Sequence, residues 1–413
     1  LMVGNDGLVY ATGSNFYGQL GDSTTTDRST PIKVLKGAYS GTTFLGDNPA
    51  NPIIAVGAGG YYSIALAADG TVYSFGDNTL GQLGDNTTND RNTPVRVLKG
   101  AYSGTTYLGD NSANPIVAVV AGAYHSIALA ADGTVYSFGS NVYGQLGDNT
   151  TTDRSIPVKV LQGAYSGTTN LGDNTANPIV AVVAGLYHSI ALAADGTVYS
   201  FGRNSNGQLG DNTTTNRSTA VRVLKGAYSG TTNLGDNPAN PIVAVASGGY
   251  HSIALAADGT VYSFGYNAQG QLGDNTTTQR NIPVKVLKGA YSGTTNLGDD
   301  TANPIVAVVA GAFHSIALAA DGTVYSFGWN IYGQLGDNTT TDRNIPVRVL
   351  KGAYSGTTNL GDDTANPIVA VVAGVYHSIA LASDGTVYSF GNNGDGQLGD
   401  NTTTDRSIPV RVL

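Results

Sequence analysis

Histidine is the first residue type in this chain to test for chemistry, because imidazole binds metal ions and transfers protons near neutral pH. It occupies one position at 63-residue intervals, with Tyr62 in its place in a sixth copy: His125, His188, His251, His314 and His377. Zinc would need three or four of these side chains to converge at about 2.0–2.2 Å. If the repeats are arranged in a circle, evenly spaced side chains seldom converge on one ion, and here a tyrosine replaces one of the histidines. We therefore expect buried histidines that bond to local partners, and no metal site.

A second repeated set combines arginine with aspartate. The arginines, which follow an Asp in five of seven copies, are Arg28, Arg91, Arg154, Arg217, Arg280, Arg343 and Arg406. Repetition in every copy favours ion pairs that tie a loop over an anion site. The nearby Gly-Asp-Asn-Thr-Thr-Thr-Asp tract is rich in oxygen ligands but lacks the turn glycine and bidentate glutamate of a known calcium loop, so calcium is the lesser alternative. No Ser/His/Asp set breaks the repeat, and the chain has no Cys or Glu. We expect neither catalysis nor a cofactor.

Composition narrows the partners. The formal net charge is −9, and no run of Lys or Arg occurs. Nucleic acids and anionic membranes need a basic footprint, so neither is an expected partner. No apolar run is long enough for a membrane span, so we expect no membrane insertion. Val, Ile, Thr, Tyr and Gly are abundant, which indicates β-strands joined by turns.

The element that must position these residues is a repeat around the pentapeptide Gly-Gln-Leu-Gly-Asp. It recurs every 63 residues without insertion or deletion, beginning at Gly18, Gly81, Gly144, Gly207, Gly270, Gly333 and Gly396. A fixed period of this size is typical of solenoids, propellers and arrays. Copies in strict register predict one domain over residues 1–413.

One repeat contains four predicted strands. They are A (Ile116–Ala121), B (Tyr124–Ala130), C (Thr134–Gly139) and D (Pro157–Leu161), with an Asp-Gly hairpin between B and C. The continuous apolar character of strand A predicts burial on both faces. A proline and a Lys or Arg mark strand D as an outer edge strand. The predicted fold is an all-β, seven-bladed β-propeller of four-stranded antiparallel blades.

The chain is about 28 residues shorter than seven full repeats. The absent part corresponds to the return segment that follows strand D (Gly163–Asn177 in one copy), the next strand A and the start of strand B. One blade is therefore predicted to be incomplete. We expect the native chain to continue beyond Leu1 or Leu413, because a missing inner strand would expose apolar surface.

The run from Gly122 to Asp148 resembles the regulator of chromosome condensation repeat. Its His-Ser, Asp-Gly, Val-Tyr and Gly-Gln-Leu-Gly elements fall in the family's order and spacing, and they recur along the whole chain. The resemblance implies a seven-bladed propeller used as an interaction platform. Members include a nuclear nucleotide-exchange factor, a plant ultraviolet photoreceptor and secreted bacterial inhibitors of β-lactamases.

This chain departs from two of those members. Photoreception in the family rests on clustered tryptophans, and Trp329 is the only tryptophan of this chain. The exchange factor carries a basic tail, and none is visible. The near-identical repeats look more like bacterial secreted or surface relatives, which implies an extracellular or cell-surface location.

Two stretches differ between copies. One is the residue before the aromatic that opens strand B, and the other flanks a constant Asn between strand C and the pentapeptide. Antiparallel strand order predicts that both lie at one end of each blade, where loops on a rigid scaffold usually build recognition. The candidate binding residues from these stretches are Phe16, Tyr17, Asp77, Leu80, Tyr143, Leu186, Arg203, Tyr266, Trp329, Ile331, Tyr332, Val375 and Asp395.

The predicted function is non-catalytic binding of a protein or glycan through these variable positions. Aromatic and Arg enrichment supports this hypothesis. Neutral drift at tolerant turns is the simpler explanation, and a structural spacer in a larger bacterial surface protein is the matching alternative. A secreted enzyme inhibitor is a special case of binding, and guanine-nucleotide exchange is the weakest candidate.

Overall fold

The computed structural model describes residues 1–413, and all of its regular elements are β-strands. They form seven antiparallel sheets, which we call blades 1 to 7 in chain order. Blade 1 has three strands, Met2–Val3, Val9–Gly13 and Arg28–Lys33. Blades 2 to 7 have four strands each, in the order A-B-C-D. The predicted all-β, seven-bladed fold with one incomplete blade is confirmed.

The strands of blades 2 to 7 repeat with nearly constant bounds. The A strands are Ile53–Ala58, Ile116–Ala121, Ile179–Ala184, Ile242–Ser247, Ile305–Ala310 and Ile368–Ala373. The B strands are Tyr62–Ala67, His125–Ala130, His188–Ala193, His251–Ala256, His314–Ala319 and His377–Ala382. The C strands are Val72–Gly76, Val135–Gly139, Val198–Gly202, Val261–Gly265, Val324–Gly328 and Val387–Gly391. The D strands are Arg91–Arg96, Arg154–Lys159, Arg217–Arg222, Arg280–Lys285, Arg343–Arg348 and Arg406–Arg411.

The chain divides into two compact units within blade 4. The first comprises Leu1–Ala194, Tyr199–Arg203 and Asn216–Val221, and the second comprises Asp195–Val198, Asn204–Thr215 and Arg222–Leu413. The prediction of one domain over residues 1–413 stays a prediction. No helix in the structure is long and apolar enough to cross a bilayer.

The core of each unit lies between consecutive blades. In the first unit, Ile127 and Leu129 of blade 3 belong to one buried cluster with Ile179 and Val182 of blade 4. In the second unit, residues at the same repeat positions in blades 6 and 7 form an equivalent cluster. Strand A of one blade therefore covers the face of the blade before it, and burying these apolar faces contributes about 25 cal/mol per Å².

The predicted burial of strand A on both faces was wrong. Ile116 and Val119 are buried, but the Val117 side chain remains 49% exposed. The pairing with strand B shifts between Ile116 and Ala118, so that Val117 falls in a bulge outside the regular ladder. A bulge residue turns away from the sheet, which explains an exposed apolar side chain in a continuous apolar run.

Strand D also begins earlier than predicted, at Arg154 instead of Pro157. Gly139, at the end of strand C, pairs with Arg154 after a register shift. Its φ of 105° permits this irregularity, because a glycine adopts positive φ without Cβ strain. Strand D is the last strand of its sheet, as its proline and Lys159 predicted.

Candidate binding surface

The two variable stretches lie at the same end of the sheet in each of blades 2 to 7. In blade 3 the amide of Ser140, at the start of the C–D loop, donates to the carbonyl of Tyr124 in the A–B turn at 2.8 Å. The equivalent bond recurs in blades 2, 4, 5, 6 and 7. The Asp-Gly hairpin lies at the other end, where Asp132 is bonded to Asn114 of the return segment. We call the A–B turns and C–D loops the variable rim.

A constant asparagine organises the interior of each C–D loop. Asn141 is fully buried, and its side-chain amide donates to the Asp148 carboxylate at 3.0 Å and to the carbonyls of Thr150 and Thr152 at 3.2 and 3.1 Å. Its Oδ1 accepts from the amide of Leu146 at 2.9 Å. One side chain thus satisfies backbone groups along the loop, which explains why this position does not vary.

The pentapeptide supplies the other constant contacts. The carbonyl oxygen of the Gln145 side chain accepts from the amide of Tyr143 at 2.9 Å, which fixes the backbone of a variable residue. Asp148 forms an ion pair with Arg154 at 2.7 Å and accepts from the Thr150 hydroxyl at 2.6 Å. Partial burial would raise the pKa of Asp148, but these hydrogen bonds, together with one from Asn141, lower it. The predicted loop-tying role of the arginines is confirmed, and their partner is the aspartate of the pentapeptide.

Within each unit, repeated histidines join consecutive blades. The Nε2 of His125 lies 2.9 Å from the hydroxyl of Ser189 in the next blade, and that hydroxyl donates to the backbone carbonyl of Gln145 at 2.8 Å. Because the serine proton is already used, His125 must donate from Nε2. Burial lowers the pKa of His125 to about 3, which keeps the ring neutral. In blade 2 the hydroxyl of Tyr62 occupies the equivalent place: it donates to the backbone carbonyl of His125 at 2.6 Å and lies 2.9 Å from the Ser126 hydroxyl.

This contact resembles a Ser–His dyad only in composition. Both His125 and Ser189 are completely buried, and the serine proton points at a backbone carbonyl rather than at the imidazole. A nucleophile must reach its substrate, so this pair has a structural role. No cluster of three or more His and Asp side chains suited to a metal ion occurs in the structure.

Aromatic side chains of the variable rim form three clusters. The first, the Tyr17 cluster, joins Phe16 to Tyr17 at a centroid distance of 4.9 Å and Tyr17 to Tyr61 of the next blade at 5.3 Å. Phe16 is 72% exposed and Tyr61 is 44% exposed. These two rings present apolar surface that the fold itself leaves uncovered.

The second group, the Arg203 cluster, also lies in the first unit. Tyr143 packs edge-to-face on Tyr187 at 5.1 Å, and Tyr187 stacks on Tyr124 at 5.2 Å. The guanidinium of Arg203 lies 5.1 Å from the Tyr143 ring and 5.7 Å from the Tyr187 ring. Both distances are within the range of a cation–π interaction.

The third group, the Trp329 cluster, lies in the second unit. The Trp329 ring is 5.5 Å from Tyr332 and 5.4 Å from Tyr376, and those two tyrosines are 5.6 Å apart. Phe313 joins Trp329 at 5.5 Å and extends the cluster to Tyr266 at 6.0 Å. All of these rings are half-buried, so each offers an edge or a face to solvent.

The remaining candidates differ in accessibility. Ile331 and Asp395 are exposed, and Leu80, Leu186 and Val375 are half-buried. Asp77 is only 5% exposed and accepts from the side chain of Gln82 at 2.9 Å and the amide of Thr79 at 3.0 Å. Its carboxylate therefore holds its own loop.

Sequence reasoning missed one component of all three clusters. This component is the aromatic residue of the A–B turn, which directly follows the variable residue of that turn. These residues are Tyr61, Tyr124, Tyr187, Tyr250, Phe313 and Tyr376. Their near-constancy concealed them, because divergence between copies marks only the positions that change. A signal existed: strand alternation points the following His125 inward, so Tyr124 must point outward.

Taken together, seven sheets with one common loop scaffold and a divergent rim define a β-propeller of tandem repeats. Residues 1–287 and 104–413 match the RCC1-like domain family. The chain belongs to that family, as the repeat predicted.

Sequence relatives include proteins of different kinds. The chain is 30% identical over 368 residues to the ultraviolet-B receptor UVR8 of Arabidopsis thaliana, covering 88% of this chain and 70% of the receptor. It is 28% identical over 418 residues to the E3 ubiquitin-protein ligase HERC2 of Homo sapiens, covering 100% of this chain but only 7% of the ligase.

A solved structural relative shares the fold at low sequence identity. Prp20p from Saccharomyces cerevisiae, described with its binding properties to Gsp1p and histones, superposes with a TM-score of 0.74 at 21% identity, covering 100% of this chain and 87% of Prp20p. Human WBSCR16 gives a TM-score of 0.75 at 22% identity, covering 98% of this chain and 94% of that protein. At such identities the similarity establishes the fold alone.

Proposed function

We propose that this chain is a non-catalytic recognition propeller that binds a protein partner through its variable rim. The observation that carries the proposal is the accessible aromatic surface of the three clusters. Phe16 at 72% and Ile331 at 55% exposure are large apolar side chains placed outward. Aromatic residues and arginine are enriched at protein interfaces and dominate their binding energy.

The scaffold beneath these side chains suits recognition. Each C–D loop is fixed by a buried asparagine, an ion pair and the glutamine of the pentapeptide, while the outer positions differ from blade to blade. A rim whose backbone is already ordered loses little conformational entropy on binding. Diversity on a rigid loop therefore produces specificity at low cost in stability.

The relatives favour a protein over a glycan as the partner. Prp20p binds Gsp1p and histones, which are proteins. A glycan remains the alternative ligand, since half-exposed aromatic rings also stack on sugars. An extracellular or cell-surface location stays a prediction.

The test compares capture of partners from an extract of the source organism by two variants of the chain. One combines Tyr17→Ala, Trp329→Ala and Tyr332→Ala in the variable rim. The control combines Ser112→Ala, Thr175→Ala and Thr301→Ala, three exposed positions of the return segments. We expect the rim variant to lose the captured protein and the control to keep it, with native circular dichroism spectra for both at the temperature of the assay. Equal capture by both would contradict the proposal and favour the spacer alternative.

A further inference from the structure

The Arg203 cluster shows how this rim holds a cation. The guanidinium of Arg203 lies against Tyr143 from the preceding blade and Tyr187 from its own blade. Arg203 is the only basic residue among the variable positions that flank the constant asparagines of the C–D loops. An aromatic pair across a blade boundary thus forms a site that a planar cation fits.

The same three repeat positions recur three blades later. Tyr332 corresponds to Tyr143 and Tyr376 to Tyr187, but the residue corresponding to Arg203 is Asn392. The two tyrosine rings are 5.6 Å apart, against 5.1 Å in the Arg203 cluster. The aromatic pair is retained while the chain supplies a neutral residue in place of the cation.

Trp329 makes this second site stronger than the first. It occupies the repeat position that holds the small Ser140 in blade 3. Its ring centroid lies 5.5 Å from that of Tyr332 and 5.4 Å from that of Tyr376. Indole has the greatest affinity for cations among the aromatic side chains. Trp329 and both tyrosines are half-buried, which reduces the competing hydration of a bound cation.

Charge around the Trp329 cluster also favours a cation. The Asn392 side chain lies 3.4 Å from the Asp405 carboxylate, and the exposed Asp395 belongs to the same C–D loop. No Lys or Arg occupies a position flanking the constant asparagine in blades 5, 6 or 7. The whole chain has a formal net charge of −9. A basic group would therefore approach a surface of opposite sign.

We infer that the Trp329 cluster binds an exposed Arg or Lys side chain of the protein partner, in the manner in which Tyr143 and Tyr187 hold Arg203. This inference rests on the proposed function and specifies the partner's chemistry: a surface segment with a basic side chain. Asn392 leaves the site to a cation from outside the chain.

The test uses a capped tetra-arginine peptide as the probe, with a capped tetra-citrulline peptide as the neutral control of the same shape. Trp329 is the only tryptophan, so its fluorescence reports on this site alone, and calorimetry gives the stoichiometry. At physiological ionic strength we expect saturable binding of tetra-arginine and none of tetra-citrulline. Equal binding of both peptides, or no saturable binding, would overturn the inference.

Two reciprocal variants test the internal comparison. Asn392→Arg places an arginine at the repeat position that corresponds to Arg203. Because this arginine should occupy the Trp329 cluster, we expect the affinity for tetra-arginine to fall about tenfold. Arg203→Asn should open the Tyr143–Tyr187 pair and add a second, weaker binding site. Unchanged affinity in Asn392→Arg would overturn the inference. If that happened while the rim variant still lost its protein partner, the proposed function would stand and only the cationic chemistry would fail.

Discussion

The C–D loop and the return segment are the two long connections of every repeat, and both are tied by their own side chains. In the return segment, Asp110 accepts the amides of Thr105, Thr106 and Tyr107 at 2.8–3.0 Å. Partial burial would raise the pKa of Asp110, but these bonds lower it to about 2. In the C–D loop, Asn141 has the corresponding role. Each loop is constant where a side chain satisfies its backbone.

The two connections differ in their exposed positions. The return segment mostly keeps small or polar residues there, such as Thr105 and Ala113, whereas the C–D loop carries Phe16, Val142 and Ile331. The constancy of the return segment thus has a structural cause in part, because its side chains satisfy its own backbone. What distinguishes the C–D loop is the apolar and aromatic character of its variation.

The largest effect on stability should come from a glycine of the return segment. A Cβ on Gly109 would lie 1.7 Å from the carbonyl oxygen of Gly70, and the φ of Gly109 is +93°. Gly109→Ala must therefore move backbone in two segments, and we expect a loss of more than about 3 kcal/mol in the free energy of unfolding, measured by chemical denaturation.

The matched control is a glycine at a variable position of the C–D loop. A Cβ on Gly394 would have no neighbour within 4 Å, so Gly394→Ala should change stability by less than about 0.5 kcal/mol. Similar losses for the two variants would remove the contrast between a fixed segment and a tolerant loop surface.

The interior and the surface of one C–D loop can be separated by adjacent substitutions. Asn141→Ala removes the side chain that bonds Leu146, Asp148 and Thr150, and we expect a loss of about 2–4 kcal/mol because buried backbone groups lose their partners. Val142→Ala changes a side chain that is 54% exposed and should cost under about 1 kcal/mol. Comparable thermal midpoints for the two variants would show that the asparagine does not organise the loop.

The buried histidines predict a dependence of stability on pH. Burial lowers the pKa of His125, His188 and His314 to about 3. In the unfolded chain these histidines take up protons below their ordinary pKa of about 6.5, whereas in the folded chain they do not until about pH 3. The contribution of these histidines to the free energy of unfolding should therefore be fully present above pH 6.5. It should fall as the pH is lowered, by about 1.4 kcal/mol per pH unit for each histidine.

Blade 2 supplies the variant that tests this slope. Tyr62 makes the interblade contact without a group that titrates in this range. His125→Tyr should therefore reduce the slope of the unfolding free energy against pH, between pH 6.5 and 4.5, by the equivalent of about one proton, or about 1.4 kcal/mol per pH unit. This range lies above the ordinary aspartate pKa of 3.8, so the carboxylates contribute little. An unaltered slope would mean that His125 is protonated in the folded chain.

The fold was predictable because each repeat is locally consistent. The Asp-Gly hairpin occurs in all seven copies, and the edge proline occurs in six, with Ala220 in its place in the remaining one. The errors have specific causes. The bulge at Val117 and the early start of strand D at Arg154 depend on ladder register, which apolar patterns do not encode. The partner of His125 lies 64 residues away in the next blade, so only the packing of two blades identifies it.

The candidate site was predictable only in outline. Divergence between copies identified Tyr17, Tyr143 and Trp329, but could not reveal that each packs against a nearly constant aromatic of the A–B turn. It also selected Asp77, whose hydrogen bonds turn its carboxylate into its own loop. Variation shows where a surface tolerates change, and burial decides which of those side chains a partner can reach.

The smallest expected effect on stability separates a paired rim residue from an unpaired one. Phe16 is 72% exposed and contacts Tyr17 edge-to-face at 4.9 Å, so Phe16→Ala should cost about 0.5–1 kcal/mol. Ile331→Ala, at 55% exposure, serves as the control and should cost less. Both variants should unfold within a few degrees of the parent in calorimetry. A loss as large as that of Asn141→Ala would place Phe16 in the scaffold, and the distinction between a fixed loop interior and a free loop surface would fail at that blade.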